Sequence, residues 1–318
     1  MEKTAKNKTY TMSDPIIPDF MFEPMDDKEK VTDEINSPSV SYWKSAWKRL
    51  KKDPLAVFGI CVIILITVLA IFGPMFSQYT YDGQNIVDQN QTPSLKHLFG
   101  TDKFGRDIFI RTMYGARISL SIGIMAALIN MVIGVLYGGI SGFFGGKVDM
   151  IMMRIVDILT GVPSLLYIIL IMMFLGNSVK SILIALCMTY WIGTARMVRS
   201  QILTLKNQDF ALAAKVVGET NMQILLRHLI PNSIGPIIVT VTFLIPSAIF
   251  QEAFLSFLGI GIQVPMASWG TLANDAIPTL LTYPYQMLFP AAMISITMFS
   301  LNFIGDGLRD ALDPKLKK

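Results

Sequence analysis

Charge is missing from this chain in long runs, and the lengths of those runs limit what it can fold into. Residues 55–76 are 22 positions without an acidic or basic side chain, 118–146 are 29, 158–179 are 22, 229–251 are 23 and 276–305 are 30. A bilayer core ~30 Å thick takes ~20 helical residues and excludes unpaired ions. A sixth run, 181–195, has only 15 residues, and on length alone it suits a re-entrant segment. It is counted as a span because Lys180 and Arg196 bracket it and long cationic side chains at helix ends reach the interface. The sequence therefore predicts an all-α, polytopic membrane protein with six transmembrane helices, at about 55–76, 118–142, 158–179, 181–199, 232–254 and 284–305. Only 16% of the residues are charged, against about 25% in an ordinary soluble domain, which excludes a water-soluble globule.

The first run is too long for a signal peptide, and residues 1–36 contain no apolar core. Residues 1–40 carry nine acids, five lysines and Pro15, Pro18, Pro24 and Pro38. That composition reads as a polar, unstructured cytoplasmic tail or a loose arm facing a partner. With the N-terminus inside, the inner segments after residue 40 hold 16 basic residues and the outer ones six. Both termini are thus expected in the cytoplasm. Five of the six outer basic residues cluster with four aspartates in one long loop. The formal charge of +4 reflects this asymmetry and the acidic tail, not an affinity for nucleic acid.

Groups able to do chemistry are scarce. Cys61 and Cys187 fall within spans and are expected to be small buried hydrophobes. His97 and His228 are assigned to opposite sides, which removes most metal and triad arrangements. The glycine-rich stretch ending at Gly146-Lys147 has Ser141 where a phosphate-binding loop needs its first glycine, and Val148 where it needs Ser or Thr. No catalytic, metal or cofactor site is expected in this chain.

Two patterns stand out. Ala126, Asn130, Gly134, Gly138, Gly142 and Gly146 recur every four residues along the second span, a small-residue stripe that lets another helix come close. It suits packing within the chain, or else a partner subunit or a translocation path. The inner loop 200–231 has Asp209 placed to cap a short helix over 210–217, with Gly218 at its C′ position. Thr220 or Asn221 can cap a second helix that ends near Pro231. Ala211, Ala213 and Ala214 give the short helix little bulk, so another protein could approach it; a plain connecting loop is the alternative.

In this loop, Ala213-Ala214-x-x-x-Gly218, followed thirteen residues later by Pro231, resembles the EAA loop of permease subunits of bacterial ABC importers. Gly100-Thr101-Asp102-x-x-Gly105-Arg106-Asp107 is similar to a motif of the C-type permeases of oligopeptide and dipeptide importers. So are Tyr114-Gly115-Ala116-Arg117-Ile118-Ser119-Leu120, Arg227-His228-x-x-Pro231-Asn232 and Glu252-Ala253-x-Leu255-Ser256-Phe257-Leu258-Gly259. The likeness runs from about Ser41 to Pro314. One departure is that Leu212 stands where the family has an acid.

The resemblance implies half of a transmembrane pore in the cell membrane, paired with a second, homologous permease. Two cytoplasmic subunits would hold ATP and Mg, and an external binding protein would deliver peptide. Contact with the ATPase would fall on Asp209, Phe210, Ala213, Ala214, Gly218, Arg227, His228 and Pro231. Oligopeptides are the expected cargo, with dipeptides or nickel complexes as alternatives. Glu252 is expected near the outer interface, as a hydrogen-bonded or arginine-paired carboxylate or as part of an outer mouth that attracts a peptide ammonium; Asn130 is the other pore candidate. Asp102, Arg106 and Trp269 are candidates for binding-protein contact. An ion-coupled secondary transporter, the rival class, would often show an internal repeat and charges at mid-membrane, and neither is clear here.

Overall fold

The computed structural model describes residues 41–263 and 265–313. The expectation for a tail over 1–40 lies outside them. Every named element among the described residues is helical, with one isolated bridge between Thr101 and Asp107.

Helix α1 (Tyr42–Leu50) leads into α2 (Pro54–Phe72). Asp53 starts α2: its carboxylate accepts from the N–H groups of Leu55 and Ala56, while Pro54 occupies a position that needs no donor. A loop from residue 73 to 107 follows, and α3 (Ile108–Phe144) begins under an Asp107 cap ten residues before the expected span. The charges that hid this extension are satisfied by tertiary partners. Arg117 donates to the carbonyls of Ala70 and Ile71 at the end of α2, and Arg111 pairs with aspartates.

The third expected span is the one the structure redraws. In place of one helix over 158–179 there are α4 (Gly146–Thr160) and α5 (Ser164–Leu175), bent by 79°. Pro163 lacks a donor and disfavours helical geometry at Val162, so the helix breaks inside the charge-free run. The fourth span is α6 (Val179–Thr189) and α7 (Trp191–Leu205). It gains length by running through Arg196 and Arg199, which pair with Asp157 and Asp149 of α4.

After α7 come α8 (Asp209–Val216), α9 (Asn221–Gln223), a π-helical turn (Ile224–Leu229) and α10 (Ile230–Asn232). The second helix of the inner loop thus runs on through the π-helical turn and ends at Asn232, next to Pro231, as expected. Then follow α11 (Ile234–Phe257), the short α12 (Trp269–Ala276) and α13 (Tyr285–Leu312). Five segments among the described residues are long and apolar enough to cross a membrane, or six with the bent pair counted as one.

The small-residue stripe of α3 is the seam on which α7 lies. A Cβ at Gly134 would come 2.6 Å from that of Thr194, one at Gly138 2.2 Å from the Ala195 carbonyl oxygen and one at Gly142 2.8 Å from that of Arg199. Matching positions rise together, so α3 and α7 run parallel, and the chain between them has to cross back. The stripe is thus packing within the chain, and it ends at Gly142, since Gly146 has nothing within 4 Å. Tyr42 donates to the Leu312 carbonyl, and Gly235 lies beside both residues, so α1, the start of α11 and the end of α13 share one end of the bundle. The Lys206 ammonium donates to the Gly142 carbonyl. Helix α8 lies just beyond Lys206.

Cys61 is exposed on α2 and Cys187 half-buried, so the expectation of burial fails for the first. Helix α2 is apolar on all sides and only part of its surface is covered by the bundle.

Candidate functional site

Helix α8 is short because both its ends are set by the sequence. Asp209 lies in its first turn, where a negative side chain faces the positive end of the helix dipole. The capping position belongs to Gln208, which makes no side-chain capping bond, one residue earlier than expected. At the other end Gly218 takes φ +93°, its N–H donates to the Lys215 carbonyl, and the Glu219 N–H donates to the Ala214 carbonyl. Those two bonds form a Schellman stop, which needs a left-handed residue at this point. A capping box between Thr220 and Gln223 starts α9 one residue later, and the Glu219 carboxylate accepts from His228 Nε2 at 2.9 Å across the hairpin. His228 thus ties the two arms of the loop together.

The alanines do not all face outward. Ala211 and Ala214 are buried against Val198, Ile202, Ile224 and Leu225, so their small size lets α8 lie close on its own bundle. The exposed surface consists of Phe210, Leu212, Ala213, Val216 and Val217, the last two 87% and 84% exposed, together with Asp209 and Lys215. Arg227 is exposed with no ion pair among the described residues, and Pro231 lies beyond it at the base of α11. The result is an apolar ridge held rigidly at one end of the bundle. Leu212, 50% exposed on this ridge, adds apolar surface where the family pattern has charge.

At the opposite end, the Gly100–Asp107 motif builds a cross-braced cap. Asp102 accepts from the Phe104 and Arg106 N–H groups and from Arg106 Nε at 2.6 Å, which folds the loop back on itself. Asp275 of α12 then accepts from Arg106 at 3.1 Å and Arg111 at 3.2 Å. His97 Nδ1 is 2.8 Å from Asp107, and Asp88 holds Lys96 at 3.0 Å. Lys96 keeps the Asp88 carboxyl below its ordinary range, with Gln91 helping. Trp269 is buried and donates to the Thr112 carbonyl at 3.1 Å. Asp102, Arg106 and Trp269 are therefore internal braces, all nearly or wholly buried. In this conformation they offer little surface for direct contact with another protein.

Glu252 is fully buried under this cap. Its Oε2 accepts from Ser119 at 2.7 Å and its Oε1 from Ser256 at 2.9 Å. Its partners are hydroxyls, with no arginine among them. Asn130 is also buried: its amide donates to the Ala126 carbonyl one turn back, and its Oδ1 has no partner among the described residues. The sequence alone did not single out Arg111, Asp275 or the Asp149–Arg199 clamp.

Membrane-length helices, a braced cap at one end and a helical hairpin at the other describe a multi-pass membrane protein. The profile described as "Binding-protein-dependent transport system inner membrane component" matches residues 134–318, and "N-terminal TM domain of oligopeptide transport permease C" matches 41–93. The chain is 51% identical over 302 residues to the oligopeptide transport system permease protein OppC of Bacillus subtilis, covering 95% of this chain and 99% of that one. It is 48% identical to the dipeptide transport system permease protein DppC of the same organism, with 95% of each covered. It is 42% identical to Escherichia coli K12 OppC, with 90% and 96% covered. The chain belongs to the binding-protein-dependent transport system inner membrane component family, as a C-type permease of the oligopeptide and dipeptide group.

Proposed function

We propose that this chain forms half of the pore of an ATP-driven importer of oligopeptides. It crosses the cell membrane six times with both termini in the cytoplasm, α4 and α5 together making one crossing. The parallel run of α3 and α7 supports that count, because the segment between them has to return across the bilayer. Positive residues gather at the α8 end, which supports its cytoplasmic placement. A homologous permease supplies the other half of the pore. Two cytoplasmic subunits carry the ATP and Mg, and an extracytoplasmic binding protein delivers cargo. This chain itself does no catalysis.

The observation that carries this reading is the α8 ridge, anchored on one face by Ala211 and Ala214 and bare on the other at Phe210, Leu212, Val216 and Val217. An exposed apolar surface on a rigid element is a docking surface. Closure of the ATPase dimer moves this ridge, and the ridge moves α7 and α11. ATP biases the two access states only through contacts that differ between them. A cysteine replacing Val217 crosslinks to a cysteine in the co-expressed ATPase, while one replacing buried Ala214 does not. Absence of product from Val217 in every nucleotide state would refute the contact. The dipeptide relative makes shorter cargo the second reading, and ligand identification on the cognate binding protein separates the two.

A further inference from the structure

Helix α1 carries features that pore formation does not use. At ~100° per residue its side chains fall into three sectors. Ala46 and Leu50 are buried against Ala56, Ala311 and Leu312. Trp43 and Trp47, one turn apart, are 51% and 54% exposed. Lys44, Lys48 and Lys51 continue beyond the tryptophans, all exposed, with the Lys51 ammonium 5.1 Å from the Trp47 ring centre.

Both ends of the helix are pinned at one level. Tyr42 donates to the Leu312 carbonyl at the end of α13, and three residues, 51–53, separate Leu50 from the first turn of α2. Three residues reach at most ~10 Å. Helix α1 therefore lies across the mouths of two spanning helices, flat against the bilayer boundary.

Tryptophan is the side chain suited to that boundary, and lysines beside it meet headgroups. Residues 41–52 contain five basic groups and no acid. Arg49 is turned toward the backbone of Asp313, which leaves the lysines as the outward charge. We infer that α1 is a binding surface for anionic phospholipid headgroups of the leaflet at the α8 end, with Trp43 and Trp47 inserted at the interface and Lys44, Lys48 and Lys51 on the phosphates. The inference rests on the proposed orientation, in which that leaflet is the anionic cytoplasmic one.

The test uses the full importer in vesicles that contain either brominated phosphatidylglycerol or brominated phosphatidylcholine at equal mole fraction. The chain has four tryptophans, and Trp191 and Trp269 are buried, so Trp43 and Trp47 dominate lipid quenching of this subunit's fluorescence. Substituting both with Phe in a parallel sample isolates their signal from that of the partner subunits. Local enrichment makes quenching by the anionic lipid about twofold stronger or more, and Lys44→Gln/Lys48→Gln/Lys51→Gln removes the difference. Equal quenching by the two lipids, or none by either, would overturn the inference. So would a preference that appears only after residues 1–40 are deleted, which would make the acidic tail the occupant. Peptide uptake is measured in the same vesicles. Lost uptake with the lipid preference intact counts against the transport reading and leaves this one standing.

Discussion

Gly218 is where a single residue decides the shape of the α8 hairpin. At φ +93° a Cβ would meet no neighbouring atom within 4 Å, so the penalty of substitution is purely conformational. It amounts to about 1–2 kcal/mol for a side chain in left-handed geometry. Gly218→Val is expected to lower ATP-driven uptake about tenfold with hydrolysis retained, whereas Gly218→Asn, a residue tolerated there, retains most uptake. Equal behaviour of the two variants would show that the turn does not matter.

At the opposite end, Arg111 is fully buried and shares Asp275 with Arg106. Arg111→Met is expected to cost about 3 kcal/mol, at the low end for a broken buried pair because Asp275 is a quarter exposed, and to lower the unfolding temperature in detergent. The Asp88–Lys96 pair adds a pH dependence. A carboxyl with a depressed folded pKa contributes stability above its unfolded value, and that contribution is lost as pH falls through the folded one. Proteolysis of the cap loop is therefore expected to accelerate on acidification below the ordinary carboxylate range, with a weaker pH response in Lys96→Gln.

Among the elements, the α3–α7 seam sets the spacing of the bundle. Gly138→Ala would drive a methyl onto the Ala195 carbonyl, and overpacking of this kind costs about 1–3 kcal/mol. Thermal unfolding of the purified complex measures it. The four-residue spacing of the stripe was legible in the sequence, and so was its role as packing within the chain, one of the two readings it allowed. The α8 hairpin was legible too, because Gly218 and Thr220 are local signals with local effects. Less was legible where tertiary partners override local chemistry. The run 158–179 reads as one span with a proline inside it, because neither absence of charge nor Pro163 tells a mild kink from the 79° bend found there. The first ten residues of α3 looked like loop because Arg111 and Arg117 are charged, and their partners lie far away in sequence, at Asp275 and on the end of α2. The burial of Asp102, Arg106 and Trp269 is not legible in the sequence either, because a motif alone does not tell a buried brace from a docking residue.

In the molecule as a whole, side-chain bracing gathers at the two ends. The cap ties the loop before α3 to α12, while the hairpin rests on α7 and the base of α11. Between them the bent pair α4–α5 is held to α7 by Asp149–Arg199 and Asp157–Arg196. In the proposed importer, a displacement at α8 passes to α7 and α11, the helices on which the hairpin is packed. The most direct measurement is peptide uptake into proteoliposomes that contain this chain with its partner permease, ATPase subunits and binding protein. The account predicts uptake that requires ATP and every added subunit and that stops when the Val217→Cys crosslink locks α8 to the ATPase. Uptake driven by an ion gradient with this chain alone would contradict it.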